Sequence, residues 1–327
     1  MGQHFRLLTE QHVHSLLPMA DLVSAMESAL AKFSAGDVLQ PVRTVLTVGP
    51  TKAYFGVMPA YVPSPASLGA KLVTVFGDNH KQQLPSHLAT ILLLDPETGA
   101  LLALMDGRYI TEARTAAVSA VSTRFLARPE ASTLAIIGSG VQARSHLEAY
   151  QHVRQLQEVR IWSPRPQSRR AFVDDMSPRV PIPIVDADSA EAAVRGADLI
   201  VLVTSSKTPV IEDTWVSPGA HVVCVGACRP DQREMDPALV ARGELWVDSR
   251  EAALSESGDI VLAIMDGAID ATHIAGELGA YVASQSRRKD NRLTIFKSLG
   301  MAVEDVAAAH LAYVRARDKG VGTEIEL

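Results

Sequence analysis

The segment AIIGSGVQARSH places Gly138, Ser139, Gly140, Val141, Gln142 and Ala143 directly behind an apolar run and at the head of a helical pattern. This is the spacing G-x-G-x-x-A. The first glycine allows a tight turn, the second admits a diphosphate to the backbone, and Ala143 lets helix and strand pack closely. The helix start then offers free N–H groups and a positive dipole end to phosphates. A glycine fingerprint alone is weak, but here a strand precedes it, a helix follows, and further βα units come after, so a dinucleotide site is expected. An enzyme that binds NAD usually carries Asp or Glu at the end of the second strand, for the ribose 2′-hydroxyl. Here VRIW runs instead into Ser163, Pro164 and Arg165, with Arg169 and Arg170 behind. An arginine beside a hydroxyl suits a 2′-phosphate; a solvated basic turn is the alternative. NADPH is the expected cofactor, with NADH as the second choice.

Three cations sit among apolar or small residues: Arg43 in QPVRTVLTV, Lys71 in LGAKLVTVF and Arg114 in TEARTAAVSA. Charges are seldom buried without partners. Taken singly, each reads as a side chain snorkelling to solvent. Taken together, beside a hydride donor, they could form a receptor for a substrate carboxylate, with arginine supplying bidentate geometry. Asp231, in VGACRPDQREMD, follows the fifth strand of the cofactor sheet, the zone where open α/β sheets bind ligands, and is a candidate for acid–base work. It could instead cap the helix starting at PALVARG, although Asp236 fits that role better. The two cysteines, Cys224 and Cys228, are spaced C-x₃-C without further ligands. They read as buried thiols rather than a metal site or a disulfide.

These residues need a scaffold. From about Ser132 to Asp248, short apolar runs (TLAIIG, VRIW, IPIV, LIVLVT, HVVCVG, ELWVD) alternate with helical stretches. That alternation predicts a Rossmann-type, doubly wound parallel sheet, so the fold class is α/β. Before it, VRTVLTVG, AYFGVMPA, AKLVTVF, ATILLLD and LLALMDG are strands closely spaced by turns, which predicts a second, α+β domain with an antiparallel sheet of its own. The helix TEARTAAVSAVSTRFLA leads into the cofactor domain. The terminal helix, ending in basic residues and Gly320, returns to the first. The expected domains are 1–115 with about 303–327, and 116–302. The 327 residues carry a formal charge of −6 and 47% apolar residues, which describes a globular protein rather than a nucleic-acid or anionic-membrane binder. No apolar run approaches the roughly 18 residues of a membrane span. MGQHFRLLTEQ lacks a signal-peptide core, so a cytoplasmic location is expected.

Taken together, QPVRTV, GVMPAY, KLVT, PSHLAT, MDG with ITEARTAAVSA, GSGVQA, VRIW, VGACRPDQREMD, VDSREAALSESGD and FKSLGMAVED resemble the ornithine cyclodeaminase/μ-crystallin family. They span nearly the whole chain and are closest to its branch of NADPH-dependent ketimine reductases. The resemblance implies a homodimer whose first domains pair, with substrate and cofactor meeting between domains. It implies a carboxylate-binding group of Arg43, Lys71 and Arg114, with Arg114 also reaching the cofactor. Ser86 and His87 would lie beside the nicotinamide, and Glu256 would face the substrate. Gly138 to Gln142 would meet the diphosphate. Ser163, Arg165 and Ser168 would take the adenosine end, and Thr204, Ser205, Val225 and Ser298 would flank the cofactor. Asp231 matches the residue that activates water in the cyclodeaminases. Read without the resemblance, His87 is a core or cap histidine and Glu256 a helix-surface charge. One departure stands out: the branch typically has Asn-Arg-Thr after VRIW, whereas this chain has Ser-Pro-Arg, which displaces the arginine by one position.

The expected reaction is hydride transfer to the C=N carbon of a small cyclic imino acid, Δ1-piperideine-2-carboxylate or Δ1-pyrroline-2-carboxylate, giving pipecolate or proline. Lys71 is the candidate proton donor, with Asp231 as the alternative charge partner of the iminium. Three rivals use the same residues or fold: ornithine or lysine cyclodeamination with bound NAD, alanine dehydrogenase-type chemistry, and a non-catalytic protein binding NADPH or thyroid hormone.

Overall fold

The computed structural model describes residues 2–50, 53–288 and 290–327. The chain forms two compact units, residues 1–114 with 300–327 and residues 115–299. Unit one begins with β1 (His4–Leu8), the helices Glu10–Leu16 and Met19–Ser34, and then β2 (Thr44–Val48), β3 (Ala53–Pro63), β4 (Ala66–Val75), β5 (His87–Leu94) and β6 (Leu101–Asp106). The helix Arg108–Leu126 supplies residues to both units. Unit two holds β7 (Thr133–Ile137), β8 (Glu158–Trp162), β9 (Ile184–Asp186), β10 (Leu199–Leu202), β11 (His221–Cys224), β12 (Glu244–Val247), β13 (Ile274–Glu277) and β14 (Thr294–Lys297). The chain then re-enters unit one through the helix Ala302–Lys319 and β15 (Thr323–Glu326).

In unit one the sheet order is β15-β1-β6-β5-β4-β3-β2. Strands β2 to β6 form an antiparallel meander, and β1 joins it parallel to β6. Alternation along β4 buries Ser67, Gly69, Lys71 and Val73 on one face. The helix Ala302–Lys319 covers that face. Gly69 lies on that face, where a Cβ would stand 2.6 Å from the Leu92 carbonyl oxygen, so its close approach to β5 needs glycine, whereas the Val306 methyl of the helix would be in ordinary contact at 3.4 Å. The helix closes on Gly320, in left-handed conformation at φ 65°, a common helix terminator.

In unit two all eight strands are parallel, in the order β13-β12-β14-β11-β10-β7-β8-β9. The central strands are buried along their length except for partly buried Thr133 at the start of β7, as expected of a parallel sheet covered on both faces. The winding reverses between β7 and β10, the topological switch point at which such sheets bind ligands. The antiparallel and doubly wound sheets agree with the sequence reading, which missed β1, β13, β14 and β15. The strand expected at IPIV starts two residues late, at Ile184; Pro181 and Pro183 have no N–H to offer a ladder. Cys224 is buried as expected, but Cys228 is exposed, because the chain leaves the sheet after Cys224 and Cys228 lies in the following loop. Among the described residues no helix is long and apolar enough to cross a membrane.

Candidate active site

The face of unit one between β4 and the helix Ala302–Lys319 concentrates buried charge. Lys71 and Arg114 are only 2% and 4% exposed, so neither snorkels. Their partners are two carboxylates at the start of the terminal helix, Glu304 and Asp305, both 0% exposed. Lys71 Nζ lies 2.6 Å from Asp305 Oδ2 and 3.5 Å from the Thr111 hydroxyl. Arg114 donates from Nε to Asp305 Oδ1 (3.0 Å) and from Nη1 to Glu304 Oε2 (2.6 Å). Arg43, half-buried, donates from Nη2 to the Gly300 carbonyl at 2.8 Å. Gly300 has φ 82°, and a Cβ there would press on the Arg114 guanidinium at 2.4 Å, so glycine keeps the cations' surroundings open.

Burial and neighbouring charge together set the ionisation here. Burial lowers the Lys71 pKa, Asp305 opposes the fall, Arg114 and Arg43 add to it, and the value comes to about 8. Asp305 is held below the ordinary carboxylate range: burial works against its charge, but Arg114 and Lys71 outweigh it. His87 heads β5, and burial together with Lys71 and Arg114 depresses its pKa to about 4. It is therefore a neutral imidazole at pH 7. Ser86 beside it is exposed and offers its carbonyl to the Phe76 N–H (2.8 Å). With every group ionised, Arg43, Lys71 and Arg114 against Glu304 and Asp305 leave one positive charge, the complement of one carboxylate. The two acidic residues were missed in the sequence, although VED lies among apolar neighbours as conspicuously as the lysine of AKLVTVF.

Unit two builds its own site at the carboxyl ends of β7, β8, β10 and β11. Gly138 has φ 115°, and a Cβ there would stand 2.5 Å from the Val203 carbonyl oxygen, so the loops after β7 and β10 meet only because this residue is glycine. A Cβ on Gly140 would meet nothing within 4 Å. The helix Val141–Tyr150 follows with no side chain capping its first N–H groups. Ser139 is tied to Ser163 by a 2.8 Å hydroxyl contact, and Arg144 donates from Nη1 to the carbonyls of Ser139 (2.9 Å) and Gly140 (3.2 Å).

Two buried polar atoms, Gln142 Oε1 and Ser298 Oγ, have no hydrogen-bond partner among the described residues. An open glycine turn, an uncapped helix start and orphaned polar atoms fit a dinucleotide. Behind β8, Arg165 is exposed at the head of the helix Pro166–Met176, and Ser168 lies in its first turn. Arg169 donates to the Ser163 carbonyl (2.7 Å) and pairs with Asp186, which leaves Arg165 as the more available guanidinium. Thr204 and exposed Ser205 follow β10, and Val225 follows β11, its N–H on the Leu202 carbonyl (2.9 Å).

Asp231 is exposed in the loop after β11, and the helix-cap alternative goes to Asp236, which accepts the Ala238 N–H at 2.9 Å. Half-buried Glu256 ends the helix Arg250–Glu256. Beneath these loops lies a cluster absent from the sequence reading: Cys224, Glu234 and Asp259, with ligand atoms within 4.8 Å of one another. This is the geometry of a cation site, and the cation beside it is the ammonium of Lys297, 3.2 Å from Asp259.

Residues 4–320 match the model of the ornithine cyclodeaminase/mu-crystallin family. The ketimine reductase mu-crystallin of Rattus norvegicus is 45% identical over 295 residues, covering 89% of this chain and 91% of that one. A Delta(1)-pyrroline-2-carboxylate reductase of Bacillus cereus is 33% identical over 323 residues, covering 98% and 99%. The structure of Thermococcus litoralis Delta(1)-pyrroline-2-carboxylate reductase, solved with NADH and L-proline, superposes with a TM-score of 0.95 at 38% identity, over 98% of this chain and 100% of that one.

Proposed function

The chain belongs to the ornithine cyclodeaminase/μ-crystallin family, and from that premise we propose that it is an NAD(P)H-dependent reductase of C=N bonds acting on cyclic ketimine carboxylates. The observation that carries the reading is the cluster of buried Lys71 and Arg114 with half-buried Arg43, with its single surplus positive charge and a lysine pKa of about 8. The substrate is Δ1-piperideine-2-carboxylate or Δ1-pyrroline-2-carboxylate, and the product pipecolate or proline. A bound reduced nicotinamide supplies the hydride that the C=N carbon accepts.

The protein's part is to hold and protonate. Arg43 and Arg114 take the carboxylate, which fixes the ring and so turns a bimolecular encounter into a positioned one. Lys71 gives a proton to the ring nitrogen, and a donor whose pKa lies near the working pH is the efficient kind. Neutral His87 contributes hydrogen bonding beside Lys71 without adding charge. Asp231 balances the charge of the protonated imine, and Glu256 faces the substrate. In the cofactor site, Gly138 to Gln142 hold the diphosphate, and Ser163, Arg165 and Ser168 hold the adenosine end. Arg165 favours the 2′-phosphate of NADPH over NADH. Thr204, Ser205, Val225 and Ser298 flank the nicotinamide half. The chain works in the cytoplasm as a homodimer, a second copy covering the exposed β2 residues Val45, Leu46 and Val48.

The test is consumption of NADPH, followed by absorbance, with each ketimine. Ammonia release from ornithine or lysine with NAD, and no ketimine turnover, would replace this reading with cyclodeamination; cofactor binding with neither activity would leave a binding protein. Lys71→Ala is expected to abolish turnover while NADPH binding stays within about twofold, because Lys71 belongs to unit one and the dinucleotide motif to unit two. Lys71→Arg keeps the positive charge but holds its proton too tightly to give it up. Product binding that survives with turnover lost therefore identifies the proton donor.

A further inference from the structure

We infer that Glu234 is the positioning residue that fixes the loops after β10 and β11, acting as a buried two-sided acceptor between them. The inference rests on the proposal that these loops flank the cofactor. Glu234 Oε1 accepts the Thr204 N–H at 2.6 Å, and Oε2 accepts the Gly226 N–H at 2.6 Å. One carboxylate thus joins the second residues past two adjacent strand ends. The close fit requires glycine at 226, where a Cβ would stand 2.0 Å from the Thr204 carbonyl oxygen and 2.6 Å from Glu234 Oε1.

The clamp is itself anchored. Asp259 Oδ1, at the start of the helix Gly258–Met265, accepts the N–H groups of Glu234 (2.7 Å) and Met235 (3.0 Å). Its Oδ2 pairs with Lys297 at 3.2 Å, and Cys224 Sγ lies 3.0 Å from Asp259 Oδ2 and 3.3 Å from Glu234 Oε2. Glu234, Asp259 and Lys297 are all 0–1% exposed. Lys297 ends β14 and pairs in register with Cys224 at the end of β11, so its ammonium is carried by the sheet itself. A buried carboxylate is costly unless it is hydrogen-bonded and charge-balanced; Glu234 has its hydrogen bonds, and Lys297 supplies one positive charge for it and Asp259 together, so burial and the Asp259 charge raise the Glu234 pKa despite the lysine. The loop held in this way is the one that carries Asp231. Its path is set from below as well: a Cβ on Gly258 would stand 1.8 Å from the Gln232 carbonyl oxygen and 2.5 Å from that of Arg229. Fixing Glu234 therefore fixes Val225 and Asp231 on one loop and Thr204 and Ser205 on the other.

The decisive substitution is Glu234→Gln. An amide has one acceptor oxygen and one donor nitrogen, so it must set an NH₂ group against one of the two backbone N–H donors. Hydrogen exchange on the wild-type protein and the variant reads the clamp directly. The Thr204 and Gly226 amides are expected to exchange roughly tenfold faster or more in the variant, the loss of a charge-assisted hydrogen bond setting the scale. NADPH affinity, followed by nicotinamide fluorescence, is expected to weaken by a similar factor, and kcat to fall beyond the KM effect as Asp231 loses its place. If Glu234→Gln fails to fold, Glu234→Asp, which keeps the charge opposite Lys297 and shortens the reach, is expected to show the same faster exchange at the two amides. A variant that melts at lower temperature but keeps amide protection, NADPH affinity and kcat per folded molecule would overturn the inference and leave Glu234 a packing residue. Exchange and cofactor affinity need no imine, so a wild-type protein that reduces no ketimine would refute the proposed substrate while these two measurements still decide the role of Glu234.

Discussion

Removing the carboxylate that faces Lys71 tests the proposed proton donor more sharply than removing Lys71. In Asp305→Asn the amide keeps the shape of the side chain, and Arg114 keeps Glu304 at 2.6 Å. Lys71 loses a charge at 2.6 Å while Arg114 and Arg43 continue to repel it. Coulomb's law at that separation, with an effective dielectric constant of about 20, gives roughly 6 kcal/mol. Water and reorganisation reduce this to the roughly 1–3 pH units usual for a neighbouring opposite charge. An acid must be protonated to act, so wild-type kcat/KM for ketimine reduction is expected to fall as pH rises through about 8. In the variant that alkaline limb moves down by roughly 1–3 pH units. Around pH 7.5 the result is a loss of roughly threefold for a shift of one unit and over a hundredfold for three, recovered as the pH is lowered below the displaced pKa. The assay is the full pH profile of kcat/KM, with NADPH affinity measured in parallel to confirm an intact cofactor site and thermal melting to confirm the fold. An alkaline limb unmoved in Asp305→Asn would refute the assignment of Lys71 as the acid, whatever the size of the rate loss. A loss equal at every pH would instead give Asp305 a purely geometric role, holding Lys71 and Arg114 in place.

Arg165→Glu is expected to weaken NADPH binding roughly tenfold or more, the scale of a lost charge-assisted contact, while NADH affinity stays within a few fold; equal loss for both cofactors would remove Arg165 from 2′-phosphate recognition. His146 and His221 are fully buried, and burial lowers their pKa values to about 4 and about 3. The unfolded chain therefore binds their protons first, so stability falls as pH drops below about 6.5, by roughly 1.4 kcal/mol per pH unit for each group until its folded pKa is reached. Denaturant melts between pH 7 and 4 measure this slope, and His221→Gln should remove one group's share of it. Leu46 is 57% exposed on β2; Leu46→Glu is expected to turn a dimer into a monomer by light scattering, and a wild-type protein that is already monomeric would refute the proposed interface.

How much of this was legible in the sequence depended on whether a residue's chemistry shows locally. The glycine turn did: Gly138 needs a positive φ and Gly140 open space, and both requirements fall on one short stretch between a strand and a helix. The buried cations did as well, since Lys71 and Arg114 stand out against apolar neighbours. Their partners did not, because Asp305 lies 191 residues from Arg114 along the chain, and nothing local pairs a carboxylate on the terminal helix with a lysine on β4. Missing β14 had a second cost. The run TIFKSLG was not read as a strand, so Lys297 at its end was not seen to emerge beside Cys224, and Cys224 looked like an isolated apolar thiol. The same blindness hid Glu234, whose neighbours in REMD are polar and which reads as a surface charge until the loops after β10 and β11 fold around it. In the first cluster the sequence exposes the lysine that sits on a strand, where alternation makes it anomalous, and conceals the carboxylates on a helix start, where acidic residues are ordinary; in the second, Lys297 stayed hidden with its carboxylates because its strand was not recognised. A charged residue inside an apolar strand is therefore best read as half of a pair whose other half lies far along the chain.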